Sequence, residues 1–349
     1  MKERLDSRGR PARLPVLLMA VGAVAALALL LGLVYLIGHL FDDPQQPMEE
    51  TYGSIVGRFD PTSTMIVDGK EYAYYGNYFT NILVVGVDKE NIASQGTFRS
   101  GGQADFLMLL SIDRHHRTVT PIHIDRDTVT DVKVYSPFGH AAGVNKMQIC
   151  LSHAFGSSNE LNCQNTIWAV ERLMHGIEVD QFLVLDMTGI SMLNDALGGV
   201  TVTLEDDFSH LDPAMTPGTT LKLQGKQAEY YVRGRHEIGD NSNKQRMSRQ
   251  RNFLNNLSDL FRQKLKKDPQ TVAELFDTLA DHMYTSMDNG WVSGQTYALE
   301  HYEQKEILDL KGEHRIGADG YMEFHAGEDE LKRLIRDVYM IEESEVGLK

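Results

Sequence analysis

The chain has 349 residues, 42% of them hydrophobic and 24% charged, with only 10 prolines; this excludes a disordered or collagen-like polymer and leaves room for a sizeable core. Asp and Glu outnumber Lys and Arg by 49 to 34, a formal charge of −15, which excludes binding to nucleic acid or anionic lipid through bulk charge.

Residues 1–15 carry Lys2, Arg4, Arg8, Arg10 and Arg13 against Glu3 and Asp6, a net +3. From Val16 to Phe41 no charged residue occurs. As a helix this run is about 39 Å long, more than the ~30 Å hydrocarbon core of a bilayer. It exits through Leu40-Phe41-Asp42-Asp43-Pro44, without the small-x-small site of a cleaved signal peptide. These features predict a cytoplasmic tail (1–15), a transmembrane anchor (16–41) and an extracytoplasmic remainder, since the basic flank stays inside. That places the protein in the cell membrane as a single-pass chain. Subtracting +3 from −15 leaves −18 on the remainder.

Residues 42–76, rich in Asp, Gly, Pro and Tyr, read as an extracytoplasmic linker with short strands. Ile82–Val87 and Phe106–Ile112 are continuous apolar runs, the pattern of strands buried on both faces. Thr118–Ile124, Gln181–Asp186 and Val200–Leu204 are further predicted strands. Helices are predicted at Asn145–Phe155, Cys163–His175, Thr188–Leu197 (stopped by Gly198), Gly225–Val232 and Asn243 to about Leu265. Two more fall at 269–287 and 328–342. The alternation implies one αβα-layered α/β domain with a central mixed sheet over 77–342, then a tail at 343–349. Cys150 and Cys163 are compatible with a disulfide in an extracytoplasmic domain, or with two buried thiols.

Three features carry chemistry. Asp88 follows a buried strand, and Asp105 opens the next one after the loop Ser100-Gly101-Gly102-Gln103. Ligand sites in open α/β sheets gather at strand ends, and two carboxylates there suit Mg²⁺. Next, Asp125-Arg126-Asp127 follows the third strand. Finally, Lys226, Arg233, Arg235, Lys244, Arg246, Arg249 and Arg251 face only Glu229, Glu237 and Asp240, a net +4 inside the acidic remainder. Arginine suits planar recognition of phosphate. Arg246, Arg249 and Gln250 share a helical face at i, i+3 and i+4. A metal with several arginines is the equipment of phosphoryl transfer. Gly-x-Ser-x-Gly, His-Glu-x-x-His and Walker-type motifs are absent from the sequence.

NILVVGVD at 81–88, ADFLMLLSID at 104–113, IDRDT at 124–128, LNDALGGVTVTLEDDF at 193–208, LQGKQAEYYVRGR at 223–235 and RMSRQR at 246–251 occur in that order. Taken together with the N-terminal anchor, they resemble the LytR-CpsA-Psr family of cell-wall glycopolymer ligases. The resemblance implies a donor that carries the glycopolymer on polyprenyl pyrophosphate and an acceptor hydroxyl on peptidoglycan, with the lipid leaving as monophosphate. It further implies Mg²⁺ held by Asp88 and Asp105, and a pyrophosphate held by Arg126, Arg233, Arg235, Arg246 and Gln250. Asp127 would orient Arg126, and Asp105 or Asp127 would help deprotonate the acceptor. Where the family usually reads Arg-Ser-Asp, this chain has Gln103-Ala104-Asp105; Arg99 is expected to substitute for the missing arginine. Asp125 replaces the usual proline, and its charge opposes an anion unless it binds metal or pairs with an arginine. The alternative reading is a non-catalytic polyprenyl-phosphate-binding envelope protein with a regulatory or assembly role.

Overall fold

The computed structural model describes residues 64–92, 101–291 and 302–342, apart from isolated positions that include Arg235, His236 and Asn241. The predicted tail and anchor (1–41), Arg99, Arg235 and the tail at 343–349 lie outside the described residues. Among the described residues, no helix is long and apolar enough to cross a membrane.

The order of elements begins with a hairpin, β1 (Thr64–Val67) and β2 (Lys70–Tyr74), inside the segment read as a linker with short strands. Asp68 and Gly69 both take positive φ, 51° and 80°, the geometry an Asp-Gly turn supplies. β3 (Phe79–Val87), β4 (Ala104–Asp113) and β5 (Thr118–Ile124) follow. Every residue of β3 and β4 is buried, as their unbroken apolar runs require. β6 (Val129–Tyr135) and β7 (Ala141–Gln148) pair as an antiparallel hairpin, and a short 3₁₀ turn at Ile149–His153 leads to α1 (Asn159–Leu173). Then come β8 (Gln181–Leu185), α2 (Met187–Ala196), β9 (Thr201–Thr203) and β10 (Thr220–Lys222). Three helices follow: α3 (Lys226–Arg233), α4 (Asn243–Leu265) and α5 (Thr271–Leu279). The chain ends with β11 (Met283–Thr285), β12 (Glu303–Gln304), β13 (Leu308–Asp309), β14 (Gly312–Ile316), β15 (Met322–Ala326), α6 (Glu328–Tyr339) and β16 (Met340–Glu342).

The central sheet runs β11-β8-β3-β4-β5, with β12 and β13 both added to β5. It is mixed: β8 lies parallel to β3, while β4 is antiparallel to β3 and β5. Alternation along the strands sends Ile82, Val84, Phe106 and Met108 to one face, packed with Ile190, Leu193, Ala228, Val232, Phe253 and Leu257 of α2, α3 and α4. Leu83, Val85, Leu107 and Leu109 go to the other, with Val170 and Leu173 of α1 and Ile335 and Tyr339 of α6. The layered α/β architecture is therefore as expected. The apolar stripe of α4 buries Phe253, Leu254, Leu257 and Phe261 almost completely. At about 1.5–3 kcal/mol each, an upper estimate, this anchors the helix that carries Arg246 and Gln250.

Two predicted helices need correction. Asn145–Phe155 forms the end of β7 and the 3₁₀ turn instead. Val144, Met147 and Leu151 give a helical spacing, but pairing with β6 across Val129–Tyr135 overrides it. Within 269–287 the helix stops at Leu279, and Met283–Thr285 becomes an edge strand on β8.

Candidate active site at the strand ends

Register places the two acids. β3 and β4 pair from Phe79↔Asp113 to Gly86↔Phe106, then step to Val87↔Ala104. Asp105 is therefore the extra residue of a β-bulge, a device that re-aims one side chain at a sheet end. The returning loop closes on Asp88, whose backbone N–H donates to Gln103 O at 2.9 Å. Gly102 makes this possible: its φ is +76°, and a Cβ there would stand 2.8 Å from the Asp88 carbonyl oxygen.

β5 lies antiparallel to β4 with Leu107 opposite Ile124, so the turn after β5 reaches Asp105. Arg126 Nη1 forms an ion pair with Asp105 Oδ1, and its Nε lies 3.3 Å from Asp127 Oδ1. Its Nη2 donates to Gln103 Oε1 at 2.6 Å and approaches Cys150 Sγ at 3.2 Å. Arg233, the last residue of α3, is buried against Glu229 one turn earlier, and Asp88 and Asp105 both act on it through space. Arg246, in the first turn of α4, acts on Asp105 and donates to Asn243 Oδ1. Gln250 follows one turn later; it is buried and donates to Val232 O at 3.3 Å. Asp88, Asp105, Arg126, Asp127, Arg233 and Arg246 thus converge on one end of the sheet.

Burial and mutual repulsion shift the charges of the site. Burial and the neighbouring Asp105 push Asp88 up to about 7, against the pull of Arg233 and Arg126. Burial also raises Asp105 despite Arg126 and Arg246. Burial works against the charge of Arg126, but Asp105, Cys150 and Asp127 outweigh it and keep the guanidinium charged. Asp105 Oδ2 is buried and accepts no hydrogen bond among the described residues. A carboxylate oxygen in that position, beside a second acid, suits a hard cation. Among the described residues no group of three or more His, Cys, Asp or Glu forms a metal cluster. Two carboxylates with ligand phosphates completing the shell is how Mg²⁺ is commonly held, so the residues fit that ion.

Other members of the basic segment have different work. Arg249 is buried, donates to Tyr231 O at 3.1 Å, to Asp206 at 2.6 Å and to Gly234 O, and lies over Phe208. Arg251 pairs with Asp309. Cys150 and Cys163 are separate buried thiols, the second of the two alternatives.

Among the described residues, Asp125 neither binds an arginine directly nor joins the acid pair. Its Oδ1 accepts from Asn243 Nδ2 at 2.6 Å and from the Asp127 N–H at 2.9 Å. Its Oδ2 lies 2.9 Å from His314 Nε2. Asn243 in turn receives Arg246, so the acid reaches that arginine through one intermediary. Burial works to raise the Asp125 pKa, but the hydrogen bonds from His314 and the Asp127 N–H, with the charges of His314 and Arg246, hold it below the usual carboxylate range. Asn243 and His314 are the neighbours that sequence reading missed. In the sequence Asn243 marked only the start of a predicted helix. His314 stands 189 residues from Asp125, on a strand with no motif of its own.

The family model described as "LytR_cpsA_psr family" matches residues 61–337. The chain belongs to this family. Among relatives of known name, the cell wall biosynthesis protein LcpA of Corynebacterium glutamicum is 27% identical over 61% of the chain and 45% of the relative. The polyisoprenyl-teichoic acid–peptidoglycan teichoic acid transferase TagU of Bacillus subtilis is 27% identical over 65% of the chain and 67% of the relative. The chain spans about half the length, or less, of the first curated relatives it matches. The structure of TagT bound to LI-WTA superposes with a TM-score of 0.56 at 19% identity, over 81% of this chain and 92% of that one, a shared fold.

Proposed function

We propose that this family member transfers a glycopolymer, with one phosphate, from a polyprenyl-pyrophosphate carrier to a peptidoglycan hydroxyl on the outer side of the cell membrane, tethered by residues 16–41. The observation that carries the reading is the convergence of Asp88, Asp105, Arg126, Arg233 and Arg246 at one sheet end in an acidic chain. Names given to relatives point the same way: TagU is a teichoic acid transferase, and TagT was captured with LI-WTA.

The donor diphosphate lies against Arg233, Arg246 and Arg126, which neutralise its charge, while Gln250 lines the same helix face. Asp105 and Asp88 would hold Mg²⁺, which polarises phosphoryl oxygens when bound. The acceptor oxygen attacks the phosphorus next to the sugar. The bond from that phosphorus to the bridging oxygen breaks, and lipid monophosphate departs. Negative charge grows on the leaving phosphate, where buried guanidinium groups stabilise it more than water does. Asp127, in contact with Arg126 Nε, sets the plane of that guanidinium.

The test uses the full-length protein in detergent with a lipid-pyrophosphate-linked saccharide and an acceptor glycan. Mg²⁺-dependent release of lipid monophosphate is expected. Asp105→Asn and Arg246→Ala should each lower kcat by roughly 10²–10³-fold. Wild-type rates in both variants would sink the assignment. One observation favours a second reading, a binding protein without turnover: Asp105, Asp127 and Gln103 already engage the donor groups of Arg126. Tight donor binding with no product in the same assay selects that reading.

A further inference from the structure

Deprotonation of the acceptor needs a base that a bulky glycan can reach. The side chains of Asp105 and Asp127 are 0% and 4% exposed, and both are turned onto Arg126. Neither can meet a hydroxyl arriving from solvent while holding that arginine. His314 differs on both counts. Its side chain is 36% exposed, and it is held at the rim of the same turn by Asp125. The hairpin β14–β15 carries it there. Phe324 N–H donates to Asp127 O at 2.8 Å, Thr128 bridges to Phe324, and His314 pairs with Phe324 across the hairpin. The imidazole leans on the Phe324 ring, with centroids 4.8 Å apart. Backbone docking and ring packing therefore fix the histidine relative to Arg126 and Asp127.

We propose that His314, oriented by Asp125, is the general base that takes the proton from the acceptor hydroxyl. The inference rests on the transferase reading above. The carboxylate beside Nε2 selects the tautomer with Nε2–H donating to Asp125 Oδ2, so the lone pair sits on Nδ1. Nδ1 makes no hydrogen bond among the described residues. In the step, the acceptor O–H proton moves to Nδ1, the oxygen forms its bond to phosphorus, and the electron pair of the bridging P–O bond leaves with the lipid phosphate. The imidazolium so formed is paired with Asp125 and returns its proton to solvent through its exposed edge. This also accounts for the buried carboxylate of Asp125 itself. Its charge serves the histidine and, through Asn243, steadies Arg246.

The charged groups facing His314 are Asp125 and Asp127 from the turn after β5 and Lys244 from α4. Glu313, Arg315, Glu323 and His325 of its own hairpin alternate to the opposite face. The hydrogen bond to Asp125 raises the His314 pKa above its ordinary 6.5 against the effect of burial. The acid limb of kcat should accordingly inflect above about 6.5.

The experiment compares wild type, His314→Gln and His314→Ala as full-length proteins, with pH–rate profiles and separate donor-binding measurements. Glutamine keeps a hydrogen bond to Asp125 but cannot accept the proton. In His314→Gln, kcat should fall about 10²–10⁴-fold, with donor affinity and Tm near wild type and the acid limb gone. Added imidazole should restore part of the rate in His314→Ala but not in wild type. Retention of the wild-type kcat and acid limb in His314→Gln overturns the proposal. So does loss of donor binding in parallel with rate, which marks a structural role. If the wild-type protein itself releases no lipid monophosphate, the transferase reading fails and this one falls with it. A failure confined to the histidine variants leaves the transferase reading standing.

Discussion

Replacing Arg249 with Met separates the arginines that face ligand from those that hold the fold. Arg249 and its partner Asp206 have side chains 8% and 9% exposed, 2.6 Å apart. Methionine keeps the apolar stem over Phe208 but removes the donors to Asp206, Tyr231 O and Gly234 O. Those two carbonyls flank Arg233, so the bonds fasten α4 to the end of α3. Breaking a buried ion pair by deleting one partner costs about 3–5 kcal/mol. Gln245 Nε2 continues to serve Asp206 Oδ1 at 2.7 Å, which favours the lower end. At roughly 2 °C per kcal/mol for a folded unit of this size, Tm should drop by about 6 °C. Calorimetric unfolding of the full-length protein measures this. A double-mutant cycle with Asp206→Asn should return a coupling of about 1–3 kcal/mol. Well below Tm, the variant should bind a lipid-pyrophosphate donor as wild type does. An unchanged Tm with donor binding lost would falsify the division, because Arg249 would then be spending its donors on ligand.

The Asp125–His314 pair should leave a mark on stability as well as on rate. His314 is raised, so its contribution is whole below about 6.5 and fades as pH climbs through its folded value; Asp125 is depressed, so its contribution is whole above about 3.9 and fades as pH falls through its folded value. The Tm difference between wild type and His314→Gln should therefore be largest between these limits and shrink at alkaline pH. With a third of the ring in solvent, the peak should stay near 1 kcal/mol, or about 2 °C in Tm, which keeps the variant close to wild type; a difference that grows steadily to pH 9 contradicts the pairing. The cysteines give an independent check on packing. Cys150 is buried and pushed up to about 12, and burial raises Cys163 further. A thiol reagent at neutral pH should label neither in the folded chain and both after denaturation without reductant. No labelling in denaturant would mean that they are joined.

Much of the scaffold was legible because burial leaves a plain trace. Strands covered on both faces have to be apolar throughout, so Ile82–Val87 and Phe106–Ile112 stood out, and the stripe Phe253-Leu254-Leu257-Phe261 marked α4. Hairpins were harder. The outer residues of β7, from Ala142 to Lys146, are exposed, and their spacing suited a helix until β6 supplied the pairing. The short edge strand Met283–Thr285 likewise has no pattern of its own and exists because β8 offers hydrogen-bonding groups.

By itself, the sequence determined that the chain folds as a layered α/β unit and that acids at strand ends and a basic segment in an acidic chain are its chemical candidates. Both follow from local facts, apolar periodicity and charge contrast, which linear order preserves. The tertiary structure alone decided how that charge is used. A bulge aims Asp105 at Arg126, Asp206 and two carbonyls claim Arg249, and a hairpin from the far end of the chain sets His314 against Asp125. Those assignments depend on distances between residues as much as 189 positions apart, and only a folded core fixes such distances.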